Sequence, residues 1–323
     1  LHVPREKTFI PGQHDDLALV VSDIIEAPGS LYNETVEKSK GFAESQDQTK
    51  STQASGGRKT IKILRKKALS HDITGTKRLD YLREFPGHQR AFVKVQDGCD
   101  AFCNYCIVPY ARPRVWSRRE EDILAECEQL VSAGHKEIVL CGVFLGAFGR
   151  TTAIRRKWDA SPSRLPVLVR KVSEIPDLWR VRLSSLEPGD VTDELLSTMR
   201  NSPKIAPHLH LPLQSGSDAI LRRMNRQYRA GEFRETVTRL KQSLDRISIT
   251  TDIIVGYPGE SDEDFAETLA VAREAGFSKI HIFPFSPLEP TGAWLRRDEM
   301  ASPEVIRERQ EQLTTLEAQL AQT

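Results

Sequence analysis

Short runs of β-forming residues alternate with amphipathic helical patterns from about residue 90 onward, and this alternation restricts the fold more than any other feature. It is typical of a parallel sheet whose strands are connected by helices. The predicted strands are 91–95, 137–141, 181–184, 208–211, 247–250 continuing at 253–255, and 279–283. The predicted helices are 117–134, 164–175, 191–200, 217–224, 231–244, 261–276 and a final helix at 303–322. Roughly six β/α units predict an α/β fold, a partial (β/α)6 barrel rather than a closed one of eight.

The first 87 residues follow a different pattern. An apolar patch at 17–25 predicts a strand or short helix. Residues 33–57 are rich in Ser, Thr, Gln, Lys, Glu and Gly, with few large apolar residues besides Phe42, and this predicts a partly disordered linker or insertion. We therefore expect a short N-terminal region over 1–87, truncated or diverged, and a barrel domain over 88–323.

Charge and hydropathy exclude some classes of protein. The 46 Lys and Arg residues nearly equal the 45 Asp and Glu residues, so the overall charge does not indicate a nucleic-acid-binding protein. Basic residues are concentrated between Arg58 and Arg90, where they form either a patch for phosphate groups or a solvated linker. No apolar run approaches the length of a membrane span and the N-terminus has no signal pattern, so we expect a cytoplasmic protein without a membrane partner.

Three cysteines, Cys99, Cys103 and Cys106, follow the first predicted strand, at the edge of the sheet where chemistry gathers in such barrels. Three thiolates on one loop can bind three irons of a cubane iron–sulfur cluster and leave the fourth iron open. A zinc site is the first alternative, but only one Cys-x2-Cys pair is present, and His88 and His135 are not at typical ligand spacings. Disulfides fit less well, since five cysteines in 323 residues are few and odd in number.

The two remaining cysteines receive more ordinary interpretations. Cys127 lies inside a helical pattern and is predicted to be half-buried. Cys141 ends an apolar strand, where it could be a reactive thiol near the same edge or simply a buried one. Further loops follow predicted strands and should meet the cysteines at that edge: 141–143, 184–188, 212–217, 252–260 and 284–286.

The C-x3-C-x2-C spacing, with Tyr105 directly before the last cysteine, resembles the radical SAM superfamily. Other runs make the resemblance more specific: 90–100 with 107–112, 137–140, 184–188, 208–217, 224–228 and 251–260. Together they are similar to the tRNA methylthiotransferases, and most similar to the branch that acts on threonylcarbamoyladenosine. The resemblance spans residue 88 to the end of the chain.

The resemblance implies two cofactors and a reaction. Cys99, Cys103 and Cys106 would bind one 4Fe-4S cluster, and S-adenosylmethionine (SAM) would chelate its open iron. One electron would cleave SAM, and the resulting radical would activate C2 of an N6-modified adenosine, threonylcarbamoyladenosine, for insertion of a methylthio group. The implied partners are the tRNA anticodon loop and a reductant such as flavodoxin or ferredoxin. The alternatives are a radical SAM enzyme with another substrate and a degenerate tRNA-binding protein without sulfur insertion.

The resemblance also implies which residues contact SAM: Gly142, Glu187, Gln214, Ser215, Arg226 and Gly256. Glu187 would hydrogen-bond to the cofactor, and Arg226 would pair with its carboxylate. The alternative for Arg226 is a surface cation at a helix end. Gly256 would let the backbone approach the adenine ring, or it forms only a turn before Pro258.

Four arginines, Arg112, Arg114, Arg118 and Arg119, follow the cysteines and could hold SAM or an anticodon backbone, or merely form a solvated helix start.

The chain departs from the family pattern at both ends. Family members carry three further cysteines in an N-terminal domain and a C-terminal β-barrel RNA-binding module, whereas residues 1–90 of this sequence contain no cysteine and no such module follows the final helix. For this chain by itself we expect SAM cleavage to persist, with sulfur insertion in question. Pro113, Trp116 and Cys141 also replace the glycine, arginine and threonine that are usual in the family.

Overall fold

The computed structural model describes Phe85 and residues 87–321. The features predicted at 17–25 and 33–57, and most of the basic run from Arg58 to Arg90, lie outside the described residues. The domain boundary near residue 88 therefore stays a prediction.

The described residues form seven strands and eight α-helices, which we number in chain order. The strands are β1 (Arg90–Asp97), β2 (Trp116–Ser117), β3 (Glu137–Gly142), β4 (Arg180–Leu183), β5 (His208–His210), β6 (Ser248–Val255) and β7 (Lys279–Pro284). The helices are α1 (Val108–Ala111), α2 (Glu120–Ser132), α3 (Leu165–Ser173), α4 (Asp193–Asn201), α5 (Asp218–Arg223), α6 (Ala230–Ser243), α7 (Asp262–Ala275) and α8 (Pro303–Leu320). Short 3-10 helices occur at Leu145–Ala147, Arg155–Lys157, Pro188–Asp190 and Trp294–Glu299.

Six of these strands are parallel to their neighbours and follow one another in chain order. β1, β3 and β4 pair in parallel, as do β5, β6 and β7. The two groups are joined where Val181 N donates to Lys204 O and Ala206 N donates to Val181 O, both at 2.8 Å. This arrangement confirms the predicted partial (β/α)6 barrel, with each predicted strand within two residues of its observed bounds.

The strands have two distinct faces because successive side chains point to opposite sides. In β6, Ile249 and Ile253 are buried in the same apolar core as Val271 and Ala272 of α7. Full burial of one such side chain stabilises the fold by about 1.5–3 kcal/mol. Thr250, the neighbour of Ile249, is only half-buried and belongs to the opposite face. We call this face, turned away from the helices, the inner face.

The segment after the cysteines differs most from its prediction. The helix predicted at 117–134 begins only at Glu120, because Trp116 and Ser117 pair antiparallel with the end of β1. Three acidic residues, Glu120, Glu121 and Asp122, then occupy the first turn of α2, where the helix dipole favours negative charge.

Cys127 is fully buried in the core rather than half-buried as predicted, because it lies on the α2 face that packs on the sheet. Among the helices of the described part, none combines the length and the apolar character that crossing a bilayer requires.

Candidate iron–sulfur and cofactor site

The cysteine loop turns sharply at Gly98, directly after β1. Gly98 has φ +77°, and a Cβ there would lie 1.8 Å from the carbonyl oxygen of Arg114, so no other residue fits this position without a backbone shift. The turn brings Cys99 N within 3.0 Å of Arg112 O. The loop and the segment after it are therefore held together at the carboxyl end of β1.

The three cysteines have free thiols, and their surroundings disfavour the thiolate form. Burial raises the pKa of Cys99 and Cys103, and it raises the pKa of Cys106 to about 11. Negative charge on Cys103 raises the pKa of both other thiols further, and the three side chains range from buried at Cys99 to half-buried at Cys103 and Cys106. Such a set becomes anionic when a metal replaces the protons. The donor set and its enclosure fit a cluster with three cysteine ligands.

Asn225 fastens the cysteine loop to the segment after α5. Its side-chain amide donates to Ala101 O at 3.1 Å and to Phe102 O at 2.8 Å. Asn225 has φ +58°, a left-handed conformation that asparagine tolerates better than most residues. Sequence reasoning missed this role. The sequence did offer one signal, because Asn225 belongs to the run 224–228 that carries the family resemblance.

Arg226 lies inside the site, and its alternative interpretation as a surface cation is wrong because only 7% of its side chain is exposed. Its Nη2 is 2.7 Å from Glu187 Oε1, and its Nη1 donates to Cys103 Sγ at 3.3 Å and to Tyr105 Oη at 3.2 Å. Burial opposes the charge of Arg226, but Glu187 together with Tyr105, Tyr228 and Cys103 holds the pKa of Arg226 well above its usual value. The buried Nε of Arg226 has no hydrogen-bond partner among the described residues, so one donor remains for a ligand.

Arg155 adds a second cation on the other side of Glu187. Its Nη2 lies 3.2 Å from Glu187 Oε2, and its Nη1 lies 2.8 Å from Asp190 Oδ1. Asp190 also accepts the backbone N–H of Glu187 at 2.8 Å. Arg155 comes from a 3-10 helix in the long connection between β3 and α3, and no pattern in the sequence pointed to it. The two arginines together hold the Glu187 carboxylate in place.

Gly142 ends β3 beside a side chain that sequence reasoning also missed. A Cβ at Gly142 would lie 3.0 Å from Gln96 Oε1. That amide oxygen accepts from Phe144 N at 2.7 Å, and the amide nitrogen donates to Gly98 O at 2.8 Å. The small residue at 142 thus leaves room for Gln96 to connect the cysteine loop with the loop after β3.

The predicted turn after β5 is held by contacts with β6 and α7. Gln214 has φ +62° and pairs with β6, where its N–H donates to Asp252 O at 2.8 Å. Ser215 is fully buried, and its hydroxyl lies 3.3 Å from Thr268 Oγ1 of α7. The contact of Ser215 with the cofactor, through its backbone or its hydroxyl, stays a prediction. That hydroxyl fastens the turn to the helix layer.

Gly256 has φ +74°, and a Cβ there would lie 2.5 Å from Ile306 Cγ1 of α8. Packing against α8 explains this glycine without a nucleoside, so its contact with adenine stays a prediction.

Three of the four arginines after the cysteines pair with carboxylates. Arg112 lies 3.1 Å from Asp97 Oδ1, and Arg119 lies 2.7 Å from Asp122 Oδ1. Arg118 pairs with Glu126. These pairs favour the interpretation of a charged helix start over a grip on phosphates.

Two other side chains resolve alternatives about the site. Cys141 is half-buried, and burial raises its pKa to about 12, which disfavours a reactive thiolate. His135 is buried, and its two ring nitrogens lie 2.9 Å from Phe85 N and from His88 O, so it is engaged away from the cysteines.

The sequence of this chain is similar to a known protein family and to individual curated proteins. A family model of the radical SAM superfamily matches residues 93–272. The chain is 42% identical over 241 residues to the threonylcarbamoyladenosine tRNA methylthiotransferase of Chlamydia pneumoniae. The alignment covers 75% of this chain and 55% of that protein. It is 38% identical over 238 residues to the protein of the same name from Bacillus subtilis strain 168, covering 73% of this chain and 51% of that protein.

A further relative bears a different name. The chain is 39% identical over 238 residues to the tRNA-2-methylthio-N(6)-dimethylallyladenosine synthase of Lachnoclostridium phytofermentans, covering 72% of this chain and 50% of that protein. The chain thus spans about half the length of the curated relatives it matches.

Among solved structures, the radical S-adenosylmethionine methyltransferase TsrM from Kitasatospora setae, with cobalamin and a [4Fe-4S] cluster bound, aligns with a TM-score of 0.51 at 14% identity. The alignment covers 63% of this chain and 38% of that one, and the likeness concerns the fold.

Proposed function

The chain belongs to the radical SAM superfamily, and on this premise we propose that it acts as a tRNA methylthiotransferase at C2 of threonylcarbamoyladenosine beside the anticodon. The observation that carries the proposal is the 42% identity to a protein of that name over 241 residues, which is 75% of this chain. The cysteine loop lies within this region. A shared fold alone would not support an activity, because one fold hosts many.

A 4Fe-4S cluster and SAM are the cofactors of this superfamily, and Cys99, Cys103 and Cys106 would hold the cluster. When bound, the cluster supplies the electron that cleaves SAM and so makes an unreactive C–H bond accessible to radical chemistry. The protein itself contributes by shielding the cysteines and Arg226 from solvent. Cys99 and the side chain of Arg226 are buried, and Cys103 and Cys106 are half-buried, which limits the access of water to the site and so limits side reactions.

Arg226 and Glu187 are the residues best placed to orient SAM. The unpartnered Nε of Arg226 offers a charged donor for the cofactor carboxylate. The two oxygens of Glu187 contact Arg226 and Arg155, and each retains a lone pair that can accept from an amino group. In this proposal these charged side chains would orient the cofactor beside the cysteine loop.

The proposed substrate lies in a single-stranded loop, where a base can be unstacked and presented to a pocket. The proposed electron donor is a small redox protein of the flavodoxin or ferredoxin class. The nearly balanced charge of the chain offers no general attraction to RNA, so anticodon recognition would depend on local contacts.

Mass spectrometry of tRNA nucleosides tests the proposal directly. In cells that lack the gene, 2-methylthio-threonylcarbamoyladenosine should disappear, and the unthiolated nucleoside should accumulate. The wild-type gene should restore it, and a gene with Cys103→Ala should not. Unchanged nucleoside levels after deletion would overturn the assignment. Loss of the dimethylallyladenosine product instead would move the substrate to the branch of the 39% identical synthase.

A second experiment separates an enzyme from a degenerate tRNA-binding protein. After anaerobic reconstitution with iron and sulfide, the protein should bind a 4Fe-4S cluster and release 5'-deoxyadenosine from SAM when a reductant is added. A preparation that binds tRNA but forms no cluster would support the degenerate alternative.

A further inference from the structure

A second group of potential metal ligands, which includes none of the three cysteines, lies on the inner face of the barrel. His210 ends β5, Asp252 lies in β6 and His281 lies in β7. Asp252 is the register partner of His281, and His210 is the register partner of Thr250, two residues before Asp252. One potential ligand atom from each of the three residues lies within 4.8 Å of the others. Three adjacent strands thus bring two imidazoles and one carboxylate together.

The buried His210 ring has an unusual contact with Asp252. Its Nε2 lies 3.1 Å from Asp252 Oδ2, while only 3% of the His210 side chain is exposed. This distance suits a hydrogen bond, yet Oδ2 lies outside the direction in which an Nε2–H donates, and Nε2 has no hydrogen-bond partner in the described structure. A buried ring nitrogen without a directed partner costs free energy. We therefore expect Nε2 of His210 to have a partner besides Asp252.

Thr250 restricts the protonation of the His210 ring. Its hydroxyl oxygen lies 2.9 Å from His210 Nδ1 and 3.3 Å from His208 Nε2. Since one hydroxyl hydrogen serves only one nitrogen, at most one of the two imidazoles accepts from Thr250 and at least one donates to it, so His210 Nδ1 either accepts or donates.

Each of the two arrangements leaves Nε2 of His210 in need of a partner. If His210 Nδ1 accepts from Thr250, Nε2 carries a hydrogen that no described oxygen receives in line. If His210 Nδ1 donates, Nε2 presents a lone pair that is repelled by the nearby Asp252 oxygen. A cation shared by Nε2 and Oδ2 relieves that repulsion. Metal-binding histidines in general donate through their other ring nitrogen in this way.

We propose that His210, Asp252 and His281 bind a divalent transition-metal ion of the Zn²⁺ or Fe²⁺ class. Two imidazoles and one carboxylate suit such ions and leave at least one coordination position open to the inner face. Ligand bonds of about 2.05 Å place tetrahedral ligand atoms about 3.3 Å apart, close to the His210–Asp252 separation. The half-buried imidazole of His281 would complete the set by a small movement toward the other two ligands. This site is independent of the proposed function, because neither the cysteines nor SAM takes part in it.

Zinc binding by the cluster-loaded protein tests the site. The anaerobically reconstituted chain, freed of loosely bound metal with a chelator, should bind one Zn²⁺ in addition to the cluster iron. Asp252→Asn and His281→Gln should each weaken this binding at least about tenfold while the iron content stays unchanged, and the unchanged iron content shows that the fold persists. His88→Gln, which changes an exposed histidine outside the group, is the control and should bind zinc like the wild type. Wild-type protein without extra zinc, or variants with wild-type affinity, would overturn the proposal.

Two further measurements identify the ligands. In a Cys99→Ala, Cys103→Ala, Cys106→Ala variant, Co²⁺ should still give ligand-field absorption bands without the charge-transfer band of a cobalt–thiolate bond, and Asp252→Asn in that background should remove them. Thr250→Val should weaken zinc binding about 10- to 100-fold through loss of the hydrogen bond to His210. Binding that disappears with the three cysteines would assign the metal to the cysteine loop and refute the inner-face site.

Discussion

Glu187 and Arg226 form an ion pair whose atoms Oε1 and Nη2 lie 2.7 Å apart, with less than a tenth of either side chain exposed. Glu187 follows β4 and Arg226 follows α5, so the pair joins two separate connections of the barrel. Because Arg226 also lies 3.3 Å from Cys103 Sγ, the pair extends from the barrel wall to the cysteine loop. Two residues predicted separately as cofactor contacts are thus parts of one charged group.

The first prediction concerns this ion pair. Arg226→Met should lower the free energy of unfolding by about 3 kcal/mol, because it leaves a buried Glu187 with only Arg155 as its cationic partner. Adding Glu187→Gln should recover part of that loss, since the uncompensated charge is removed. Urea unfolding of the anaerobic protein measures both effects. If the double variant loses the sum of the two single losses, the residues are not coupled.

The affinity for SAM distinguishes the role of this ion pair in cofactor binding from its role in stability. Arg226→Lys keeps a positive charge but loses the planar guanidinium that contacts Glu187, Cys103 and Tyr105 together. We expect SAM affinity to fall about tenfold or more, while the unfolding midpoint falls less than in Arg226→Met. Equilibrium binding of SAM to the reconstituted protein checks this. Unchanged affinity would exclude Arg226 from cofactor recognition.

The second prediction is that Cys103→Ala abolishes cluster assembly, because an iron would lose its thiolate ligand. Iron content and the visible absorption of the reconstituted protein measure the loss, and SAM should yield no 5'-deoxyadenosine. Cys127→Ala is the matched control. That thiol is fully buried in the core, so its removal should cost about 1 kcal/mol of stability and leave the cluster intact. Full activity of Cys103→Ala would contradict the assignment of the ligand.

The third prediction concerns Asn225, whose amide donates to two carbonyls of the cysteine loop. Asn225→Ala should destabilise the loop by about 1–3 kcal/mol, because both carbonyls lose a donor. A chelator should therefore remove iron from the reconstituted variant faster than from the wild type. Asn225→Gly removes the same donor but tolerates the left-handed backbone, so its iron loss isolates the hydrogen bonds from backbone strain. Wild-type iron retention in both variants would rule out this role.

The barrel was predictable from the sequence because strand and helix periodicities there agree with the tertiary environment. The predicted helix at 261–276, for example, is observed at 262–275 with Ser261 as its N-cap. β2 was missed because two residues carry no periodicity, and only their pairing with β1 defines them. The burial of Cys127 was underestimated, because a helical pattern does not determine how deeply a small side chain is buried.

The site was predictable only where residue types carry chemistry by themselves, as at Cys99, Cys103 and Cys106. Arg155 and Gln96 were not found, because their roles depend on contacts between segments distant in the sequence. A contact of Ser215 with SAM was implied by the family resemblance, and it stays a prediction. Only the tertiary structure shows that its hydroxyl lies against Thr268.

The last prediction concerns Asp264, which serves two helix starts at once. Its carboxylate accepts from Ser261 N at 3.0 Å in the capping box of α7 and from the hydroxyl of Ser217, the N-cap of α5. Burial alone would raise the pKa of Asp264, but these hydrogen bonds hold it below its usual value. The stabilisation is therefore complete above the pKa of the unfolded chain and is lost as the pH falls through the lower folded value. Asp264→Ala should cost about 1 kcal/mol at pH 7, and the difference from the wild type should shrink below about pH 4. Urea unfolding at several pH values measures this, and a difference that stays constant down to pH 3 would contradict the role of the charge.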